Sequence, residues 1–364
     1  MKLSIPHANI LPARTWNRLG INDTALAEEL PDAAPYAGRP LSGPLPEGVA
    51  LFSGPLPQGE PETGIGPGAA DFVRANRNCG VSLRIAAGVR AAKPVFLTYR
   101  AGAENPFVAD ENAVAAEEGS EATVVVSYLG GEGGNCFHAG LTRLYAAKGA
   151  TIHLIQVQML GDGCLSLDDI GAAAEDGGTI DVIQAELGGK RALAGCKTLL
   201  KGPKSRLSLD AIYFGDQSRS IDINYTAQHA GRKTRSDIRV SGALLDESEK
   251  TFRGTIDFVR GAKQAVGKES EVNLLFSPRV RNRTAPLILC AEEDVDGQHA
   301  ASTGKIDEDL LFYLMTRGLS ELDAKKLIIE AQFRPVTDRI PDEALRGAVT
   351  QYVKERLSGL EPVS

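Results

Sequence analysis

The chain has 364 residues and a formal net charge of −7, with 43% hydrophobic and 24% charged residues. This is the make-up of a soluble globular protein of one elongated domain or two, and its acidic balance excludes the basic face that nucleic-acid binding requires. No apolar run reaches the about 18 residues of a membrane span, and Met1-Lys2-Leu3-Ser4-Ile5-Pro6 lacks the basic start and apolar stretch of a secretory leader, so a cytoplasmic protein is expected.

Aromatic residues make up only 5% of the chain while glycines number 39, which points to a thin core of small and β-branched side chains, as in solenoids. Five cysteines (Cys79, Cys136, Cys164, Cys196 and Cys290) are dispersed without a C-x-x-C pair. They are expected as reduced, mostly buried thiols, and form neither a disulfide framework nor a structural zinc site.

Residues 1–80 read as an irregular, partly helical segment. Gly43-Pro44-Leu45-Pro46 recurs as Gly54-Pro55-Leu56-Pro57 around Val49-Ala50-Leu51-Phe52. Proline removes a donor and restricts the residue before it, so this part is expected to wrap a surface as extended chain. A short helix is predicted over residues 23–30, capped by Asn22 or Asp23, and another helical piece around Phe72-Val73.

From Val81 to about residue 302 the pattern changes to short β runs. Val81-Ser82-Leu83-Arg84-Ile85 and Thr123-Val124-Val125-Val126-Ser127-Tyr128 alternate with period two, and further runs follow at 207–211, 221–225, 238–241 and 255–258. Gly149-Ala150-Thr151-Ile152-His153-Leu154-Ile155-Gln156 resembles Gly177-Gly178-Thr179-Ile180-Asp181-Val182-Ile183-Gln184. No amphipathic helix separates the strands, which excludes a doubly wound α/β sheet. Asp162-Gly163 and Asp176-Gly177 keep a hairpin-built sandwich open, but a repeat of about 20 to 30 residues suits a coil of a parallel β-helix better. Cys136-Phe137-His138 matches no familiar ligand spacing and reads as a turn. Asp222, Asn224 and Asp257 raise the paired acids of a β-helical carbohydrate-active enzyme, yet such alternation is what any solvent-facing strand shows.

Residues 303–364 read as a helical unit. Asp307 is placed to cap a helix with Leu310, Leu311 and Leu314 on one face, ended by Gly318. Ser320 and Asp323 form a variant capping box for a second helix bearing Leu322, Ala324, Leu327, Ile328 and Ala331, closed by Arg334-Pro335. Pro341 opens a third, which carries Leu345, Val349, Tyr352, and Val353 or Leu357.

The run His299-Ala300-Ala301-Ser302-Thr303-Gly304-Lys305-Ile306-Asp307-Glu308-Asp309-Leu310-Leu311-Phe312-Tyr313-Leu314-Met315-Thr316-Arg317-Gly318 resembles the C-terminal signature of the SufB/SufD family of iron–sulfur cluster assembly components. That signature is a histidine, a small-residue and threonine stretch, an acidic residue, and a Leu/Ile-Phe-Tyr-x-x-x-Arg-Gly helix. Phe252-Arg253-Gly254, Asn273-Leu274-Leu275-Phe276-Ser277 and Leu45-Pro46-Glu47-Gly48-Val49 resemble further family elements. The resemblance implies a mainly β fold: a right-handed parallel β-helix core over 81–302, a C-terminal helical unit and an irregular N-terminal segment. It also implies a non-enzymatic scaffold or accessory subunit acting with a SufC-type ATPase that docks on the C-terminal helices, through Asp309, Phe312, Tyr313 and Arg317. The partner protomer would be a second copy or a SufB-type subunit, with iron or an iron–sulfur cluster held transiently at the interface and none bound stably. The chain has no Gly-x-x-x-x-Gly-Lys-Ser/Thr loop and is not the ATPase itself.

Within that resemblance His299 matches the family's interface histidine, a candidate iron ligand. SufB-type chains carry a cysteine where Glu271 stands and a glutamate where Ala300 stands. A carboxylate is a hard ligand for free iron and a poor substitute for a cluster-binding thiolate, which brings the chain closer to SufD or to an unspecialised SufBD form. The plainer reading of Glu271 is a solvated turn residue beside Lys268, Glu269 and Ser270. Cys290 is either a ligand or a core thiol on the predicted strand Pro286-Leu287-Ile288-Leu289-Cys290. Cys196 lies two residues from Thr198, where SufB-type chains place a sulfur-accepting cysteine; residues two apart on a strand share a face. A self-sufficient homodimeric scaffold is the alternative within the family, and a β-helical carbohydrate-active enzyme the alternative outside it.

Overall fold

The alternating runs stack as a parallel β-solenoid in the computed structural model, which describes residues 1–14, 17–57, 59–130, 134–305 and 308–358. Thr151 pairs with Thr179, Ile155 with Ile183 and Gln156 with Gln184, so the internal repeat seen in the sequence is one coil lying on the next. Among the described residues two nine-stranded sheets face each other across a narrow bore. Each is parallel throughout except for one short antiparallel strand at its N-terminal end, Leu41–Ser42 or Val49–Leu51. Branched and small side chains such as Val124, Leu154, Val182 and Leu209 fill the bore.

The chain passes between sheets through a residue in the left-handed region: Gly88, Gly119, Gly149 and Gly177 in the earlier coils, then Lys204, Lys233 and Gln264. Asp176-Gly177 is therefore a coil turn and not a hairpin. A parallel sheet needs cover on both faces, and here the outer faces are covered by the two ends of the chain. Strand Cys136–Ala146 is buried along its whole length.

On one outer face lie the antiparallel pair Lys2–Ala8 and Thr24–Glu29 and the helix α1, Pro67–Asn76. Their Leu3, Ile5, Leu26 and Val73 pack on Phe107, Phe137, Leu141 and Leu193. The helix expected over residues 23–30 is thus a strand. Pairing with the first strand satisfies its backbone and buries Leu26 beside Ile5, which outweighs the helix preference of Ala-Leu-Ala-Glu-Glu.

The other outer face is covered by the C-terminal helices. These are α2 (Glu308–Thr316), α3 (Glu321–Thr337) and α4 (Glu343–Ser358). Ile329, Phe333, Val336, Val349 and Val353 pack on Ile183, Ile212 and Phe214. Arg339 bridges Asp181 at 2.7 Å and Asp210, while Arg356 reaches Asp216 at 2.8 Å and Asp162 at 2.6 Å. Gly318 has φ +97°, as its helix-stopping role requires, and Ser320 Oγ accepts from Asp323 N at 3.1 Å. The cap expected at Asp307 lies outside the described residues. Arg334-Pro335 does not close the second helix: Pro335 falls in its last turn and the helix ends at Thr337.

Two cysteine expectations are corrected. Cys136 and Cys164 form a disulfide, because consecutive coils set them directly opposite with Cα atoms 4.5 Å apart. Cys136-Phe137-His138 begins a buried strand and is not a turn.

Candidate functional site

The strand Ala265–Leu275 carries charge where its neighbours carry apolar side chains. Glu269, Glu271 and Asn273 are 3%, 1% and 1% exposed, whereas Val272 between them is 43% exposed. The strand therefore turns its polar side into the bore, near the C-terminal end of the solenoid. Glu271 accepts from Thr284 Oγ1 at 2.6 Å, forms a fully buried ion pair with Lys250, and lies 3.4 Å from the Tyr213 hydroxyl. Its reading as a solvated turn residue is corrected. The oxygens that an iron ion would need are already engaged by an ammonium and a hydroxyl. Burial pushes Lys250 below the ordinary lysine value, while the charge of Glu271 opposes that shift.

Glu269 is different. Neither of its carboxylate oxygens has a hydrogen-bond partner. Burial, with the nearby charge of Glu271, pushes its pKa up to about 7. Room for it comes from Gly254 on the opposite sheet: a Cβ there would lie 2.4 Å from the Glu269 Cδ.

His299 lies on the final strand, Val295–Lys305, in register with Glu269. Paired residues of parallel strands project from the same face, so the exposed imidazole stands one strand beyond the buried carboxylate. Two of the four predicted metal-site residues, His299 and Glu271, thus share one sheet at this end. Glu269 and Lys250 were missed. The legible signal was the inverted alternation Glu269-Ser270-Glu271-Val272-Asn273.

The other two candidates lie apart. Cys290 ends the edge strand Arg281–Cys290, exposed, with its thiol 3.0 Å from the Glu292 carbonyl. Cys196 is buried three strands in from that edge, on the same face as Thr198, 3.7 Å from its Oγ1. Burial pushes its thiol up to about 12, so it is protonated. Among the described residues no group of three His, Cys, Asp or Glu side chains converges on one point. Asp222 is held by Arg253, Asn9 and Thr24 beneath the N-terminal segment, which removes it from any glycosidase-like acid pair.

The open end also has free sheet edges. Arg281–Cys290 and Val295–Lys305 each pair on one side only. Nearby, α2 has no buried residue, and Phe312, Tyr313 and Met315 are 69%, 56% and 41% exposed. Asp309 and Arg317 are exposed on the same segment. A groove of about 440 Å³ under residues 60–67 is lined in part by Asn224 and Asp257 but by none of the four candidate metal-site residues.

The family model described as SUF system FeS cluster assembly, SufBD core domain, matches residues 99–332. The SufD protein of Bacillus subtilis (strain 168) is 29% identical over 136 residues, 37% of this chain and 31% of that protein. The SufB protein of the same organism is 24% identical over 273 residues, 72% of this chain and 57% of that protein. Escherichia coli (strain K12) SufD is 26% identical over 280 residues, 75% of this chain and 65% of that protein. The chain thus spans less than two thirds of the length of each of these relatives. The family match takes in the solenoid from its second coil through the strand bearing His299 and into α3, more than half of the sequence, and the chain belongs to the SufB/SufD family of SUF iron–sulfur cluster assembly proteins.

Proposed function

We propose that this chain is a scaffold or accessory subunit of SUF iron–sulfur cluster assembly that presents iron at the open end of its bore to a partner subunit. The observation that carries the reading is His299, exposed and in register with a buried Glu269 whose oxygens are unpartnered. Imidazole nitrogen and carboxylate oxygen suit ferrous iron, whereas a sulfide-bridged cluster asks for thiolates. The SufB-type cysteine position is Glu271, committed to Lys250 and Thr284. The thiolates therefore come from the partner, which favours a heterodimer with a SufB-type subunit over a self-sufficient homodimer. Pairing proceeds through the free edges of the two last strands, where unpaired backbone donors and acceptors are a ready template.

In this reading the chain performs no chemistry of its own. A SufC-type ATPase docks on the exposed face of α2, with Phe312 and Tyr313 as apolar anchors and Asp309 and Arg317 as charged flanks, and supplies the work that opens and closes the pair. No helix among the described residues is long and apolar enough to cross a membrane.

The test is co-expression with a SufC-type ATPase and a SufB-type subunit, followed by anaerobic reconstitution with ferrous iron and sulfide and absorbance spectroscopy. Phe312→Ala with Tyr313→Ala is expected to lose the ATPase on purification. His299→Ala is expected to keep it while lowering cluster yield at least about tenfold. A cluster forming on this chain alone would establish the homodimeric alternative. Failure of the wild-type chain to retain the ATPase would overturn the docking assignment.

A further inference from the structure

Four coils deeper than His299, the bore holds two more carboxylates that nothing above explains. Asp168, on strand Cys164–Ala174, and Glu186, at the end of strand Thr179–Glu186, come from opposite sheets of the same coil. They are 0% and 2% exposed. They approach each other and the Gln184 amide closely enough to interact, yet none of their four oxygens receives a well-formed hydrogen bond.

Two other acids in the bore are provided for. Asp110 has His138 at 3.0 Å, the Tyr128 hydroxyl at 3.1 Å and the Asn112 amide at 2.6 Å. Glu271 has Lys250. The imidazole of His138 is committed to Asp110 on one side and to Ser166 at 3.0 Å on the other. Along its own sheet Asp168 is flanked by Gly140 and Ala194, neither of which brings a polar side chain.

The next layer is amide-rich. Gln156 and Gln184 pair in register on adjacent strands. Gln184 Oε1 accepts from the Tyr225 hydroxyl at 2.8 Å and Gln156 Nε2 donates to Thr142 Oγ1 at 3.2 Å. That leaves Gln156 Oε1 without a partner and the Gln184 amide nitrogen turned toward the two acids, both fully buried. A buried carboxylate without compensation costs several kcal/mol, so two facing each other demand a counter-charge or a proton.

We propose that Asp168 and Glu186 hold a hard divalent cation of the Mg²⁺ or Mn²⁺ kind inside the solenoid, supported by the Gln156–Gln184 amide layer. The charge balance is direct: two carboxylates offset one divalent ion. The donor set shown is two carboxylates, all oxygen, which hard cations take and thiophilic ones do not. The nearby thiol of Cys196 is protonated and so does not compete. Because the layer is sealed, the ion enters as the coils close, which makes binding part of folding. The site differs in position and in donor chemistry from the His299 end, and it stands whether or not iron is handled there.

The experiment uses the full-length chain. Native protein dialysed against EDTA is expected to retain about one equivalent of divalent metal by mass spectrometry of the digested sample, and to lose it when unfolded in urea with EDTA. Refolding in the presence of Mg²⁺ or Mn²⁺ is expected to raise the urea midpoint, with a rise that grows with the logarithm of cation concentration. The double variant Asp168→Asn, Glu186→Gln is expected to hold no metal and to have a midpoint indifferent to either cation. Wild-type protein that is metal-free as isolated and shows no cation-dependent midpoint would overturn the proposal, even if the double variant fails to fold. So would a double variant more stable than wild type in saturating cation, because the acids would then be sharing a proton.

Discussion

Glu269 shows how one carboxyl gains its character from a neighbour that has no side chain. In the folded chain it keeps its proton up to about 7, against 4.5 for a free glutamate. The folded form therefore binds more protons than the unfolded one between those values, and stability falls as pH rises through that window. The whole span amounts to about 3 kcal/mol as an upper figure. Glu269→Gln removes the penalty, so in the metal-free chain the variant should exceed the parent by up to about 3 kcal/mol above pH 7, with the two converging near about pH 4 in urea titrations. No such convergence would mean that the carboxyl is solvated. This residue was missed in the sequence, despite its inverted alternation, because Lys268-Glu269-Ser270-Glu271 has the composition of a surface turn. Only stacking against Gly254 and pairing with His299 reveal which way it points. The family motif around His299 was legible, since it is contiguous. The Cys136–Cys164 pair was not, because its partners meet only when one coil is laid on the next.

At the scale of elements, the solenoid uses the two ends of its own chain as lids. Phe333 is 3% exposed at the centre of the contact between α3 and the sheet beneath it. Phe333→Ala is expected to cost about 3 kcal/mol, concentrated in the helical unit. Hydrogen exchange should then show α3 and α4 losing protection while the strands Thr151–Met159 and Thr179–Glu186 keep theirs. Uniform loss across the molecule would instead mean that helices and coils unfold as one unit. The existence of the helices was legible from Ser320 and Gly318, but not their details. The last helix opens at Glu343 behind Asp342 and not at Pro341. The second buries Ala324, Ile329, Phe333 and Val336, while Leu327 and Ala331 of the expected face stay exposed. The strand Thr24–Glu29 was not legible, because its only reason for being extended is a partner strand far away in sequence. The coils were legible wherever the repeat was exact enough to see, as at Thr151 and Thr179, and elsewhere only as alternation.

At the scale of the whole molecule, the two ends of the solenoid are unlike. Successive residues of a strand direct their N–H groups alternately to either side, so one of Ala300 and Ala301 donates toward the free edge. Of Ala300→Pro and Ala301→Pro, the substitution at that position should leave the fold intact and weaken subunit pairing at least about tenfold, as read by light scattering or sedimentation. Pairing unchanged by both would place the interface elsewhere.

The end that precedes these strands is stopped. Leu41–Ser42 and Val49–Leu51 run against the grain of the sheets they terminate and sit within a proline-rich stretch. Stacked parallel strands would otherwise make a monomer unit for a fibre, each copy adding its tail to the next copy's head. If the two last strands are the extensible face of the solenoid among the described residues, a single tail-to-tail contact would consume its sites for growth. Rising concentration should therefore populate pairs and stop there. An architecture that resembles the repeat of a filament is confined to a finite particle.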